Sequence, residues 1–303
     1  MRRRHLTIAA FCCSPLLVQA GIPEQLAFAE VADGVYFFEG EVADVLESPY
    51  GMVANVAFVV GDAAVAVIDS GSSLRQGQLI RAAIREVTDL PIRYVINTHV
   101  HLDHIFGNAA FVADQPAFIA HRRFANELAA KGGYYLSRLT APWFRGTAVI
   151  EATDLLSEAR AIDLGNRVMT VNVHGRAHTH HDLSVYDHRT DTLVAGDLVF
   201  VGHCPSLEGS VDGWIDTLQQ IEQASYARIL PGHGPVQTDN RAIAKQRGYL
   251  QRLASTVRAA IAEQMDLQTA SNTLMLDEVD DWQLCSSFHT RNVIQAYTEL
   301  EWE

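Results

Sequence analysis

The sequence lacks features that several classes of protein require. No uninterrupted apolar run reaches the roughly 18 residues that a membrane-spanning helix needs. There is no internal repeat or low-complexity tract, and four cysteines are too few for a disulfide scaffold. Basic residues number 23 against 36 acidic ones, with no basic cluster outside residues 2–4, so the chain would repel nucleic acid and anionic lipid. The remaining composition, 48% hydrophobic and 19% charged, is that of an ordinary globular protein.

The first 20 residues differ in character from the rest. Residues 2–4 are all arginine, a short apolar stretch covers residues 6–18, and small residues stand around Ala20. This pattern is typical of a signal peptide cleaved after Ala20, by the general secretory or the twin-arginine route. We therefore expect a periplasmic or secreted protein. Cleavage would leave 20 basic and 36 acidic residues, a net charge of −16.

Two cysteines, Cys204 and Cys285, follow the predicted signal peptide. They permit one disulfide in an oxidising compartment, and two free thiols fit the sequence equally well. Cys204 lies next to His203, but we favour a packed thiol over a nucleophile at this position.

Hydrophobic periodicity predicts a chain of alternating strands and helices. In the first half, strands at 53–62, 63–71, 92–98 and 117–121 alternate with helices at 74–88 and 122–132. From about residue 159, further strands at 159–165, 167–175, 182–187, 192–197 and 227–234 surround a helix at 212–223. Two strand-rich halves with helices outside predict a layered α/β sandwich, in the order helix–sheet–sheet–helix. Residues 239–303 are predicted to be helical.

One segment, residues 132–147, fits neither pattern and carries several aromatic residues. We interpret it as a candidate lid over a site. Tyr134, Tyr135 and Trp143 would then form an apolar wall for a substrate, or alternatively pack the lid onto the body of the protein. Trp214 is expected on the buried face of its helix.

The stretch "INTHVHLDHIFGN", residues 96–108, follows a predicted buried strand and carries four metal-binding side chains within six positions: His99, His101, Asp103 and His104. Alternate residues of an extended chain point the same way, so His99 and His101 can share one ion. Asp103 and His104 lie past the bend and can face a second. A cluster this dense predicts a metal site.

A pair of metal ions needs more ligands than this loop supplies, and three candidates stand at later strand ends. His178 lies between two predicted strands, Asp197 ends the strand "TLVAGD", and His233 ends the last strand within a glycine turn. Such termini, followed by polar or glycine-rich loops, are where α/β proteins hold their sites.

The segments "THVHLDH", "AHT", "GDLVF" and "PGHG" resemble, in order and spacing, those of the metallo-β-lactamase superfamily of dinuclear metal hydrolases. This resemblance implies a four-layer αββα sandwich over residues 21–238, between the signal peptide, 1–20, and a helical C-terminal extension, 239–303. It implies two Zn²⁺ ions, with iron and manganese as alternatives. The ligands it implies are His99, His101 and His178 for the first metal, Asp103, His104 and His233 for the second, and Asp197 as the bridge. Asp69 would orient the histidine loop.

The resemblance also implies a reaction. A hydroxide shared by the two metals would attack an ester, thioester, lactone or amide carbonyl of a small-molecule substrate, with Asp103 orienting the nucleophile. Longer segments, including "AGDLVFVGHCPSLEGS" and the closing "ELEWE", are similar to exported zinc metallohydrolases found with quinoprotein dehydrogenase systems. This similarity favours an enzyme linked to such a dehydrogenase.

Several alternative functions fit parts of the pattern. Glyoxalase II-type thioester hydrolases share the bridging aspartate, but they bind glutathione through basic residues, and residues 239–303 offer scattered arginines and one lysine, Lys245. Metallo-β-lactamases commonly place Cys or Ser at position 197, and one group has a lysine three residues later, where this chain has Phe200. A non-enzymatic alternative is a metal-bearing accessory or binding protein for a periplasmic quinoprotein. Nucleic-acid processing is disfavoured by the acidic charge.

Other histidines have two interpretations. His203 either points into the site from just past Asp197, as a substrate contact or ligand support, or lies on a surface loop. His180 and His181 follow His178 closely, so one of them could hydrogen-bond a ligand, but we favour solvent exposure for both.

Overall fold

The computed structural model describes residues 23–276 and 282–303, so the predicted signal peptide lies outside the described residues. Two β-sheets form the centre of the molecule, one of seven strands in the order β1–β7 and one of five in the order β12-β11-β10-β9-β8. The seven-stranded sheet contains β1 (Ala29–Ala32), β2 (Val35–Phe38), β3 (Val56–Val60), β4 (Val65–Ile68), β5 (Ile92–Ile96), β6 (Ala117–His121) and β7 (Asp154–Leu156). The five-stranded sheet contains β8 (Arg160–Asp163), β9 (Val168–Val173), β10 (Leu183–Asp187), β11 (Thr192–Phe200) and β12 (Arg228–His233).

Helices cover the outer face of each sheet. The first sheet is covered by α1 (Leu74–Val87) and α3 (Phe124–Arg138), while the one-turn helix α2 (Leu102–Ile105) follows β5. The second sheet is covered by α4 (Val211–Ala224), α5 (Arg241–Ala262) and α7 (Cys285–Leu300), with α6 (Leu267–Thr273) packed on α7. This confirms the predicted order of layers, helix–sheet–sheet–helix. Within the described residues, no helix has the length and apolarity that crossing a bilayer would need.

The middle strands are apolar on both faces because each sheet is covered on both sides. All four residues of β4 are buried. Val65 and Val67 pack toward α1, whereas Ala66 and Ile68 belong to the cluster between the two sheets. Continuous apolar runs of this kind are typical of strands that are buried on both faces.

The parallel strand pairs determine where polar residues collect. β4, β5 and β6 are parallel neighbours in the first sheet, and β11 and β12 are parallel in the second. Their carboxyl ends therefore lie at the same edge of each sheet, and the segments that follow them carry most of the predicted metal ligands.

The predicted break after residue 132 is wrong. Helix α3 continues through Gly132 and Gly133 to Arg138, so only the rest of the candidate lid, with a short 3₁₀ helix at Pro142–Phe144, is irregular. Gly132 is buried in this helix, where a Cβ would lie 3.2 Å from Val149, so the glycine permits close packing and does not end the helix. The short strands β1, β2 and β7 were not predicted.

Cys204 and Cys285 form a disulfide, with their Cα atoms 4.9 Å apart. The packed thiol expected at Cys204 is therefore wrong. The bond joins the loop after β11 to the first residue of α7, and the Cys204 amide also donates to the carbonyl of Gln283. The beginning of α7 is thus held beside the loop that carries His203. Trp214 is fully buried, as predicted, and its indole N–H donates to the carbonyl of Leu198.

Candidate metal centre

The histidine loop is held in place by a buried carboxylate. Asp69 follows β4 with a left-handed backbone, φ 59°, which turns its side chain toward the neighbouring strand. Its carboxylate accepts the Thr98 amide N–H at 2.8 Å, the Thr98 hydroxyl at 2.8 Å and His104 Nδ1–H at 2.8 Å. Asp69 therefore performs the orienting contacts that the sequence predicted for it.

The structure brings all seven predicted ligands together in two adjoining groups. One group contains His99, His101, His178 and Asp197, and the other contains Asp103, His104 and His233. Within each group the ligand-type atoms all lie within 4.8 Å of one another. His233 ends β12, the histidine loop follows β5, and His178 lies in the turn after β9, as the strand-end argument predicted. The strand end predicted at Asp197 is wrong, because β11 continues to Phe200 and Asp197 lies within it.

Asp197 lies between the two groups. Its Oδ1 is 3.2 Å from His104 Nε2 and 3.4 Å from His233 Nε2. Its Oδ2 is 3.5 Å from His99 Nε2 and 3.4 Å from His178 Nε2. A Cβ at Gly232 on the neighbouring strand would overlap this carboxylate, so the glycine of "PGHG" leaves room for Asp197.

Each of the five clustered imidazoles uses its outward nitrogen for a hydrogen bond, which leaves the other nitrogen facing inward. The outward partners are Thr98 Oγ1 for His99 (2.9 Å), Glu208 for His101 (3.2 Å), Asp69 for His104 (2.8 Å), the Ser206 carbonyl for His178 (2.6 Å) and the Val53 carbonyl for His233 (3.0 Å). Metal-bound histidines generally have such partners, since the partner sets the tautomer and the ring orientation.

The inward atoms fit a bound cation. His101 Nδ1 is 2.9 Å from His99 Nε2 and 3.2 Å from His178 Nε2, and Asp197 Oδ1 and His104 Nε2 are buried without a hydrogen-bond partner in the described part of the chain. Lone pairs at this separation repel unless a positive charge lies between them, and unpaired buried polar atoms are costly. Imidazole and carboxylate donors in this ratio suit a transition metal, zinc among them.

Burial prepares two of the three histidines of the first group for metal binding. Burial lowers the pKa of His178 to about 4 and holds the pKa of His99 well below its ordinary value, so both rings are neutral at pH 7. Burial acts on His104 in the same direction, but Asp197, Asp103 and Asp69 outweigh it and raise its pKa. At His101 burial also lowers the pKa, but the nearby carboxylates, Glu208 foremost, outweigh it and raise the pKa. Neutral imidazole is the form that binds a metal.

Glu208 is a site residue that sequence reasoning missed. Its Oε1 lies 3.2 Å from His101 Nε2, and its Oε2 accepts a hydrogen bond from Lys131 Nζ at 2.7 Å. The position of Glu208 beside His101 and Lys131 lowers the pKa of its carboxyl group. The sequence indicates Glu208 weakly, because it is the only acidic residue between Asp197 and Asp212. Only the folded loop shows that the ligand it supports is His101.

We expect Glu208→Ala to weaken metal affinity about tenfold to hundredfold, because His101 would lose the acceptor that fixes its tautomer. Glu208→Gln should have a smaller effect, since the amide oxygen can still accept the His101 proton. Competition with a chromogenic chelator measures the affinity, and Glu158→Ala, an exposed residue, is the control. Equal metal affinities in all four proteins would contradict this role.

His203 and His181 are both buried. The ring of His203 lies 4.9 Å from that of His233, and His203 Nδ1 donates to the Cys204 carbonyl at 2.8 Å, so the surface-loop interpretation is wrong. The expected solvent exposure of His181 is also wrong, because its Nδ1 accepts the Val100 amide N–H at 3.3 Å beneath the histidine loop. His180 is partly exposed.

A cavity of about 350 Å³ opens onto the clustered ligands, of which His101, Asp103, Asp197 and His233 line it. Its remaining walls come from residues 43–46, from α3, from the loop after β11 and from α7. Tyr134 and Tyr135 line this cavity, as one interpretation predicted, whereas Trp143 packs against Tyr50 with ring centroids 4.8 Å apart. The C-terminal helix α7 contributes directly through Phe288 and Arg291, and Leu284, the residue before the helix, also lines the cavity.

Comparison with known proteins agrees with this architecture. A sequence profile of the Metallo-beta-lactamase superfamily matches residues 49–233. Among curated proteins, a Linear primary-alkylsulfatase of Pseudomonas sp. (strain ATCC 19151) is 39% identical over 49 residues, which are 16% of this chain and only 9% of that protein.

Solved structures share the fold at low sequence identity. TMB-1 superposes with a TM-score of 0.61 at 18% identity, covering 76% of this chain and 99% of its own. A metallo-beta-lactamase from Pontibacter korlensis superposes with a TM-score of 0.61 at 18% identity, covering 75% of this chain and 99% of its own. The inverting sec-alkylsulfatase Pisa1 from Pseudomonas sp. superposes with a TM-score of 0.70 at 15% identity, and the match covers 91% of this chain and 50% of Pisa1. At these identities the likeness concerns the fold alone.

Proposed function

Because the chain belongs to the metallo-beta-lactamase superfamily, whose profile covers residues 49–233, we propose that it is an exported dinuclear zinc hydrolase that cleaves an ester, thioester, lactone or amide. The observation that carries this proposal is the convergence of seven ligand-type side chains, with the outward nitrogen of every histidine hydrogen-bonded. That the protein is a metal-dependent hydrolase follows from its family.

The ligands divide between two ions in this proposal. His99, His101 and His178 would hold the first, Asp103, His104 and His233 the second, and Asp197 both. When bound, such a pair supplies a water activated at neutral pH and positive charge that stabilises a developing oxyanion. The protein holds these side chains rigidly, since Asp69, Glu208 and three backbone or hydroxyl acceptors fix the rings before any ion binds.

Asp103 is the residue best placed to handle the proton of the attacking water. It lines the cavity, and its Oδ2 lies 3.5 Å from His233 Nε2 and 3.7 Å from His104 Nε2. We propose that Asp103 orients this water and takes its proton. His203, whose pKa burial lowers to about 4, is neutral and presents Nε2 as an acceptor for a substrate group.

A second candidate reaction is the hydrolysis of a sulfate ester. A Linear primary-alkylsulfatase is 39% identical to this chain over 49 residues, whereas the likeness to Pisa1 concerns the fold alone. β-Lactam hydrolysis is less favoured, because Phe200 lies where one group of lactamases has a lysine, and the likeness to TMB-1 concerns the fold alone. The link to a quinoprotein dehydrogenase rests on sequence resemblance, as does the accessory-protein alternative.

Export is part of the proposal, since residues 1–20 have the pattern of a signal peptide. The disulfide between Cys204 and Cys285 supports it, because structural disulfides persist in oxidising compartments. Intact mass of protein recovered from outside the cytoplasm would show the loss of residues 1–20 and of two hydrogens. Full-length, reduced protein in the cytoplasm would contradict export.

The experiment that tests the function is elemental analysis of the purified protein, combined with hydrolysis assays. The probes are a thioester, a lactone, an aryl ester, a β-lactam and an alkyl sulfate. We expect two zinc ions per chain and chelator-sensitive cleavage of one carbonyl probe. Cleavage of the alkyl sulfate alone would favour the second candidate. Two zinc ions without any cleavage would favour the accessory role, and absence of bound metal would reject the proposal.

A further inference from the structure

Two arginines at the cavity are not used by the metal centre. Arg138 is the last residue of α3 and Arg291 lies on α7, and both are exposed side chains that line the cavity. They approach the site from separate elements, one on each outer helical layer of the sandwich.

Neither arginine forms an ion pair with a carboxylate of the described residues. Lys131, two turns before Arg138 on α3, differs, since it pairs with Glu208 at 2.7 Å and with Glu127 at 3.7 Å. In a chain with 36 acidic and 23 basic residues, a carboxylate partner is easily available to an arginine. Within the described residues, the guanidinium groups of Arg138 and Arg291 nevertheless line the cavity without a carboxylate partner.

The guanidinium of Arg291 is also held in position. Its Cζ lies 5.6 Å from the centroid of Phe288, which itself lines the cavity. Stacking of this kind leaves the N–H groups at the edge of the guanidinium plane available. The disulfide at Cys285 fixes the beginning of the same helix, so Phe288 and Arg291 belong to a fastened wall.

The two carboxylates of the wall outside the clustered ligands already accept hydrogen bonds. Asp44 accepts the Leu46 amide N–H at 2.9 Å, and Glu208 is held by His101 and Lys131. The rest of the wall is largely apolar, with Val45, Leu46, Tyr134, Tyr135, Leu284 and Phe288. A cavity of about 350 Å³ lies at the lower end of the range that holds small-molecule ligands.

We propose that the substrate is an apolar acyl compound bearing a carboxylate remote from the bond that is cleaved, and that Arg138 and Arg291 bind this carboxylate. This inference rests on the proposed hydrolase function, because it places the reacting bond at the clustered ligands. Arginine matches a carboxylate through two parallel hydrogen bonds, which also orients the apolar body along the wall. The overall charge of the protein repels such an anion, and Asp44 and Glu208 also line the cavity, so its binding would depend on Arg138 and Arg291.

The test compares two aryl esters of the same length, mono-p-nitrophenyl suberate and its methyl ester. The first carries a remote carboxylate and the second is neutral there. We expect wild-type protein to prefer the anionic probe, and Arg138→Ala and Arg291→Ala each to raise its KM about tenfold, as expected for a lost charge-assisted hydrogen bond. The ratio of kcat/KM for the two probes should therefore fall in both variants, and the lysine variants should recover part of it. Arg93→Ala, an exposed arginine that does not line the cavity, is the control.

Calorimetry separates failure of this inference from failure of the proposed function. If neither ester is cleaved, binding of the same two probes to wild-type protein and to the Arg138→Ala/Arg291→Ala variant is measured directly. Tighter binding of the anionic probe, lost in the double variant, supports the carboxylate site even though the hydrolysis is absent. Cleavage or binding of both probes with no preference, unchanged in the variants, overturns the carboxylate site and leaves the hydrolase proposal intact. Absence of both cleavage and binding overturns it as well.

Discussion

Asp197→Ala is expected to lower hydrolytic activity roughly thousandfold and to reduce the metal content below two ions per chain. The reason is geometric, because one carboxylate lies 3.2–3.5 Å from the Nε2 atoms of four imidazoles, two in each group. No other side chain in the described cluster faces both groups in this way. Elemental analysis and the rate of the best probe, measured on the same preparation, test the prediction.

The matched control is Asp216→Ala, an exposed aspartate on α4 that should keep wild-type metal content and rate. Asp197→Asn should have an effect on activity and metal content between those of wild type and Asp197→Ala, since it retains one oxygen and the volume of the side chain but removes the charge. An Asp197→Ala protein with two ions and activity within tenfold of wild type would show that the carboxylate does not bridge. Circular dichroism of each variant excludes unfolding as the cause of a loss.

The clustered ligands were predictable because their signal is local. Four of them lie within six positions of one loop, and the others lie in or just after the carboxyl-terminal halves of apolar strands, which the sheets bring to one edge. Asp69 was found by resemblance, and its left-handed backbone at the end of β4 gives the physical reason for its role.

The supporting and substrate-facing residues were less predictable because their positions depend on how separate layers pack. Nothing in the pattern around Arg138 or Arg291 indicates that α3 and α7 face one cavity. The glycine pair at 132–133 resembles a helix end in sequence, yet the helix continues, so the cavity-lining part of the candidate lid is a helix. Likewise, the burial of His181 follows from its contact with Val100 beneath the histidine loop, which only the fold brings about.

A different prediction concerns stability, at the end of the sandwich away from the metal centre. Arg167 and Asp187 form a fully buried ion pair, with two hydrogen bonds of 2.9 and 2.8 Å, and Arg167 also donates to the Val60 carbonyl at 2.9 Å. Arg167→Met should therefore lower the free energy of unfolding by about 3–5 kcal/mol, because Asp187 would remain buried without its cation. Urea denaturation at pH 7, with metal content held equal, measures the loss.

The double variant Arg167→Met/Asp187→Leu distinguishes the loss of the whole ion pair from the burial of Asp187 without its cation. Replacing a whole buried pair with apolar side chains is often close to neutral, so most of the lost stability should return. A single variant that costs less than about 1 kcal/mol would contradict the prediction. Metal content should stay normal in the folded variants. Val60, which accepts the hydrogen bond from Arg167, pairs with Val65 at the beginning of β4, whereas the clustered ligands lie beyond the opposite edge of the sheet.

The pH dependence of the difference gives a further check on the same pair. Burial alone would raise the pKa of Asp187, but hydrogen bonds from Arg167 and Thr190 outweigh it and hold the pKa below 3.8. A depressed carboxyl pKa contributes stability that is present above the unfolded value and is lost as the pH falls through the folded value. In Arg167→Met the burial remains and the guanidinium is gone, so the pKa of Asp187 rises and protonation relieves part of the cost. The gap between wild type and Arg167→Met should therefore narrow as the pH falls from 7 through this raised pKa, and narrow further below about pH 4, where wild type loses its own contribution. Titration of the metal centre affects both proteins alike and cancels in this difference, so a gap that did not change between pH 7 and about pH 3 would show that Asp187 is not responsible.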